Sequence, residues 1–68
     1  MTDSTVVQQY RSEAGGCAMT AYRMAASDMN HLRGLDPKQI RQQKRVVAKL
    51  LTDKLAQQAA MAARFLSR

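Results

Sequence analysis

The chain has 68 residues, one cysteine, one proline and a net charge of +6 at pH 7. A chain of this length forms one small domain, and such a domain is commonly completed by a disulfide, a metal or oligomerisation. The single cysteine excludes an intrachain disulfide and favours a reducing compartment, so we expect a cytoplasmic protein. No apolar run approaches the roughly 20 residues of a membrane span, and the N-terminus lacks a signal-peptide pattern, so we expect no membrane association.

The composition favours helices over strands. Alanine and glutamine are frequent, whereas β-branched and aromatic residues are few, so the predicted fold class is all-α. The predicted architecture is a two-helix antiparallel hairpin, and residues 1–68 form a single domain. Apolar periodicity and end signals predict a first helix over about 5–33, a turn at 34–36 and a second helix over about 37–66.

The first predicted helix carries its apolar side chains along one stripe, which includes Tyr10 and Cys17. Because Cys17 lies on this stripe, we expect it to be an inert core residue. Gly15 and Gly16 are the weak point, since each costs roughly 1 kcal/mol relative to alanine in a helix interior. We expect a continuous helix with a soft spot there, and the alternative is a break that leaves residues 1–14 frayed.

The segment RGLDPK marks the point where the chain reverses. Gly34 can adopt the left-handed conformation that ends a helix, and Arg33 suits the negative end of the helix dipole. Asp36 is a favourable N-cap, and Pro37 belongs at the first position of the next helix. The short connection predicts that the two helices are antiparallel neighbours.

The second predicted helix is apolar over more than half of its circumference, which is more than a two-helix hairpin can cover. A twofold homodimer that forms a four-helix bundle is the simplest way to bury the surplus, and docking on a larger protein is the alternative. The candidate protein contacts are Met19, Tyr22, Val46, Leu50 and Met61.

Two polar residues, Asp28 and His31, fall on the apolar stripe near the turn. In the hairpin register Asp28 lies opposite Gln43 and Lys44, and Lys44 is on the apolar side of its own helix. We therefore predict a structural polar pair of Asp28 with Lys44, or a hydrogen bond between Asp28 and Gln43, that disfavours other registers. Asp28 and His31 supply too few ligands for a metal site, so no metal and no cofactor is predicted.

A basic ridge lies on the side of the second helix away from the apolar arc. No acidic residue interrupts it, and its members are Lys38, Arg41, Arg45 and Lys49. The ridge suits the phosphate backbone of a nucleic acid or an acidic protein surface. It contains no aromatic residue for base stacking, and the chain has no three-helix DNA-binding pattern.

The chain lacks a combination of nucleophile, base and pocket, so we expect no enzymatic activity and no small-molecule substrate. The predicted function is that of a small regulatory or adaptor protein, of the phage or plasmid type, that binds a larger protein through helical surfaces. Binding of RNA or DNA by the basic ridge is the alternative. A small structural subunit of a larger assembly is the second alternative.

Overall fold

The computed structural model describes residues 2–32, 34 and 36–66. Over these residues the chain forms three helices and no strand: α1 spans Asp3–Glu13, α2 spans Ala18–Asn30 and α3 spans Pro37–Leu66. The predicted all-α class is confirmed. No helix in the described part is both long and apolar enough to cross a membrane.

The predicted continuous first helix is wrong, because the chain turns at Gly15 and Gly16 and forms two helices instead of one. Both glycines have positive φ angles, 63° and 85°. The N–H of Gly16 donates to the carbonyl of Arg11 at 2.9 Å, and the N–H of Gly15 donates to the carbonyl of Ser12 at 3.1 Å. These bonds form a Schellman motif, which ends a helix where glycine adopts the left-handed conformation at no steric cost.

Helix α1 is not frayed, because it packs along α3 in a parallel direction. Thr2 caps its N-terminus with a side-chain oxygen that accepts a backbone N–H. Near the start of α1, the Nε of Arg45 lies 2.7 Å from the Oδ2 of Asp3. Near its end, Arg11 forms an ion pair with Asp53. Within one chain, α1 thus covers a side of the α2–α3 pair that the two-helix prediction left for a second copy.

Helices α2 and α3 are antiparallel neighbours, as the short turn predicted. The Nε2 of Gln43 donates to the carbonyl of Ala25 at 2.9 Å. At the other end of the pair, the Oε1 of Gln57 accepts the N–H of Ala18 at 3.2 Å. The second bond satisfies one of the backbone donors that a helix N-terminus leaves without an intrahelical partner.

The turn signals at Gly34, Asp36 and Pro37 are confirmed. Gly34 has a φ of 83°, and α3 begins at Pro37. The Oδ1 of Asp36 accepts the N–H of Lys38 at 2.9 Å, which is an N-cap bond. Arg33, where the end of the first helix was predicted, lies outside the described residues.

A small core joins the three helices. Its buried side chains are Val7 from α1, Ala21 and Ala25 from α2, and Val46 and Leu50 from α3. The two alanines are fully buried, and such small side chains let neighbouring helices approach closely.

Helix α3 continues well beyond this core. A helix of 30 residues is about 45 Å long, and the molecule measures 50 Å along its longest axis. Every residue from Leu55 to Leu66 is exposed. Beyond Gln57, whose side chain reaches Ala18, α3 therefore has no covering surface in the described part of a single chain.

Candidate protein-binding surfaces

Val46 and Leu50 are not surface contacts, contrary to the prediction. Both side chains have zero exposure and belong to the core of the chain itself. The physical reason is α1, whose Val7 packs into the same cluster and uses part of the apolar arc of α3. The other predicted contacts keep surface, since Met19 and Tyr22 are half-buried and Met61 is exposed.

The polar partner of Asp28 is Tyr10, and the described ion pairs do not join Asp28 to Lys44. The hydroxyl of Tyr10 donates to the Oδ2 of Asp28 at 2.5 Å and accepts from the Nε2 of Gln43 at 3.1 Å. Burial, and then the bond to Asp28, raise the pKa of the Tyr10 phenol. Asp28 and Gln43 thus belong to one network, but α1 supplies the group that connects them. Lys44 is exposed.

Because of this network, loss of the Tyr10 hydroxyl should lower the stability of the fold. We expect Tyr10→Phe to lower the free energy of unfolding by about 1 kcal/mol, because two hydrogen bonds across three helices are lost. Urea unfolding followed by circular dichroism measures the difference. The matched control is Tyr22→Phe, since the ring of Tyr22 makes the contact with Lys54. Equal unfolding midpoints for the two variants would contradict a structural role for the network.

A row of exposed residues on the C-terminal half of α3 follows heptad spacing. We call this row the distal stripe, and its members are Leu51, Leu55, Gln58, Ala62 and Phe65. Alternating steps of four and three residues place them on one side of a helix, as in the contact line of a coiled coil. Leu55 is 55% exposed and Phe65 is 79% exposed. Large apolar side chains in an exposed row mark an interaction surface.

A second apolar surface lies between α2 and α3. This α2–α3 groove has a volume of about 460 Å³, and it is lined by Tyr22, Ala26, Met29, Asn30, Leu32, Ile40 and Val47. Tyr22 was a predicted contact residue, and the Nζ of Lys54 lies 5.0 Å from the centre of its ring. Ile40 and Val47 of α3 line this groove whereas Val46 and Leu50 lie in the core, so the apolar side chains of this part of α3 are divided between the two.

The basic ridge is exposed along its whole length. Its four members differ in their surroundings, because Arg45 is bound to Asp3 through the 2.7 Å contact described above. The hydrogen bond with Asp3 raises the pKa of Arg45. The folding back of α1 therefore partly neutralises one position of the ridge, which a hairpin register could not reveal.

The Asp3–Arg45 pair should stabilise the fold at neutral pH and lose this effect in acid. The hydrogen bond from Arg45 lowers the pKa of Asp3 below its ordinary value of 3.8. A carboxylate with a depressed folded-state pKa stabilises the fold above its unfolded-state pKa, and this contribution is lost as the pH falls through the folded-state pKa. We expect Asp3→Asn to lower the unfolding midpoint slightly at pH 7 and to match the wild type in acid, since the pair is exposed.

Urea unfolding at pH 7 and at about pH 2 measures this difference. Arg45→Gln is the reciprocal variant and should show the same pattern, because it removes the same pair. A difference between Asp3→Asn and the wild type that is as large in acid as at pH 7 would contradict the assignment to the carboxylate.

Cys17 is exposed at the N-cap of α2, which corrects its predicted place in the core. The turn at Gly15 and Gly16 moves it off the apolar stripe.

A nearby hollow of about 680 Å³ between the three helices includes Arg11 and Asp53, which are paired with each other. Among the described residues, no cluster of His, Cys, Asp and Glu is arranged to hold a metal ion.

His31 is exposed at the C-cap of α2. The candidate contact surfaces on the described residues are the distal stripe, the α2–α3 groove and the basic ridge. The spacing along α3 places the ridge on the side away from the groove. No family model, no curated protein and no solved structure matches the chain.

Proposed function

We propose that the chain is a small, non-enzymatic regulatory or adaptor protein that binds a larger protein through its helical surfaces in the cytoplasm. The observation that carries the proposal is the apolar surface that α3 keeps outside the core, both beside α2, at Ile40 and Val47, and toward its C-terminus, at Leu55, Phe65 and Leu66. A three-helix domain that serves only as a stable unit has no need of such exposed side chains, which favour aggregation unless another surface covers them.

The proposed assembly is a homodimer in which the distal stripes of two copies pair in antiparallel directions. About a twofold axis at Gln58, Leu51 of one copy faces Phe65 of the other, and Leu55 faces Ala62. A polar residue at one contact position specifies register at a cost in stability, which suits Gln58. In this dimer, a cross-section near Leu51 contains four helices: α1, α2 and α3 of one copy and the α3 of the other copy. This assembly differs from the predicted bundle of two paired hairpins, and we propose that it leaves the α2–α3 groove available for the larger partner.

Affinity capture tests the proposed function. The immobilised chain is incubated with a lysate of the source cell, with and without nuclease. Protein that is retained after nuclease treatment supports the proposal, and loss of all retained protein contradicts it.

Light scattering on the purified chain measures the mass of the assembly. A mass well above that of a dimer favours the alternative of a structural subunit.

Nucleic-acid binding by the basic ridge is the alternative function. The observation in its favour is the exposure of Lys38, Arg41 and Lys49 on one side of α3. Each phosphate that a basic side chain neutralises releases counterions, so affinity must fall steeply with salt. A gel-shift titration with RNA and DNA at several salt concentrations tests this function, and no binding at low salt removes it.

A further inference from the structure

We propose that the α2–α3 groove binds an amphipathic helix with acidic flanks, supplied by the larger partner protein. This inference rests on the proposed function and specifies the chemistry of the partner. The groove differs from the distal stripe, because it is bordered by two helices of the same chain. Its occupant therefore contacts α2 and α3 together.

The shape of the groove suits a helix of about three turns. Along α2 its lining runs from Tyr22 to Asn30, nine helical residues that span about 13.5 Å, and it continues to Leu32 just beyond the helix. Along α3, the lining runs from Ile40 to Val47. Two antiparallel helices form a furrow in which a third helix packs at about 8–10 Å from each axis, and proteins commonly recognise amphipathic helices in such furrows.

No acidic residue lines the groove, although all five are in the described part of the chain. Asp3 and Glu13 are on α1, and Asp28 and Asp53 are bound to residues of α1. Asp36 caps the start of α3. Folding of α1 thus gathers most of the negative charge on one side of the molecule.

Basic residues border the groove on both helices. Lys54 lies over the ring of Tyr22, at one end of the groove. Lys44 is exposed on α3 between the turns that carry Ile40 and Val47. On α2, the exposed Arg23 follows Tyr22 and lies about one turn before Ala26, and both of these residues line the groove. An apolar floor with cationic borders favours an apolar helix face with acidic borders, because complementary charge speeds association and excludes wrong partners.

The charge of α3 argues against a second copy of the chain as the occupant. Residues 37–66 contain seven Lys and Arg against one acidic residue. A second α3 in the groove would place basic residues beside Lys44 and Lys54, and like charges in contact oppose association. An acidic helix from another protein meets no such repulsion.

Two synthetic peptides test this inference on the full chain. Each is a labelled amphipathic helix with the same leucine face, and one carries Glu and the other Lys at the flanking positions. We expect the Glu peptide to bind about tenfold or more tightly than the Lys peptide in fluorescence anisotropy. The double variant Arg23→Glu with Lys44→Glu should reverse this preference, because both side chains are exposed and border the groove.

A second variant, Ala26→Glu, places a negative charge on the groove itself and should weaken binding of the Glu peptide by about tenfold or more. Circular dichroism checks that each variant keeps the helical content of the wild type. Equal affinity for the two peptides, no binding of either, or unchanged binding by a folded Ala26→Glu variant would overturn the inference. So would a fall in mass of the Ala26→Glu variant from dimer to monomer, since the groove would then hold a second copy.

The same variant separates this inference from the proposed function. If the wild type and Ala26→Glu retain the same protein from a nuclease-treated lysate, the chain binds a protein and the groove is not the site. If neither retains any protein, the proposed function itself fails.

Discussion

Leu50→Ala is expected to remove most of the stability of the domain. The Leu50 side chain has zero exposure and packs in the cluster that joins all three helices. Truncation of a buried leucine to alanine costs about 2–5 kcal/mol, since burial is lost and a cavity remains. A chain of this length has a total stability of roughly 3–10 kcal/mol. The variant should therefore unfold at least about 10 °C below the wild type, or show no cooperative transition.

Thermal unfolding at one protein concentration, followed by circular dichroism, measures this effect. The control is Lys49→Ala, which introduces the same residue at the exposed neighbouring position. Surface substitutions of this kind usually change stability by no more than about 0.5 kcal/mol. If Leu50→Ala and Lys49→Ala unfold at the same temperature, Leu50 does not lie in the core of a single chain.

The start of α3 could be predicted from the sequence because local chemistry decides it. Pro37 has no N–H to lose at the first helical position, and the side chain of Asp36 caps the N–H that follows. Gly34 accepts a positive φ without steric cost. These effects act within a few residues, so a sequence pattern reports them directly.

The break at Gly15 and Gly16 could not be decided in the same way. Local propensity identifies the weak point, but a continuous helix and a turn differ there by only a few kcal/mol. The decision comes from tertiary contacts that a one-dimensional pattern does not contain. Val7 reaches the core of α2 and α3 only if α1 folds back, and Tyr10 then reaches Asp28.

The Tyr10 network had a signal in the sequence that the hairpin prediction did not use. A tyrosine on an apolar stripe has a hydroxyl that needs a partner when the ring is buried. Asp28 and Gln43 were correctly placed near one another, and the register between α2 and α3 was close to that observed. The third helix supplies the missing member, so the pairing of Asp28 with Lys44 was wrong although its location was right.

Leu55→Asp with Phe65→Asp is expected to abolish the proposed homodimer. Each copy would bury two carboxylates at the paired distal stripes, and an unpaired buried charge is costly. We expect the dissociation constant to rise by about a hundredfold or more, because two apolar anchors are lost from each side. The measured mass should fall from that of two chains to that of one.

Light scattering at several concentrations measures this mass. The matched control is Ala60→Asp with Ala63→Asp, which adds the same charge to the same exposed turns on the other side of α3. This control should remain a dimer. A monomeric wild type, or a dimeric Leu55→Asp with Phe65→Asp variant, would contradict the pairing of the distal stripes.

Binding of another protein is the central claim, and affinity capture from a lysate of the source cell tests it most directly. The immobilised wild-type chain is compared with and without nuclease, and the retained proteins are identified by mass spectrometry. A protein retained in equal amount after nuclease treatment is the result that the proposed function predicts. Retention of nucleic acid before the treatment, with no protein retained after it, would contradict the claim and assign the chain's activity to the basic ridge.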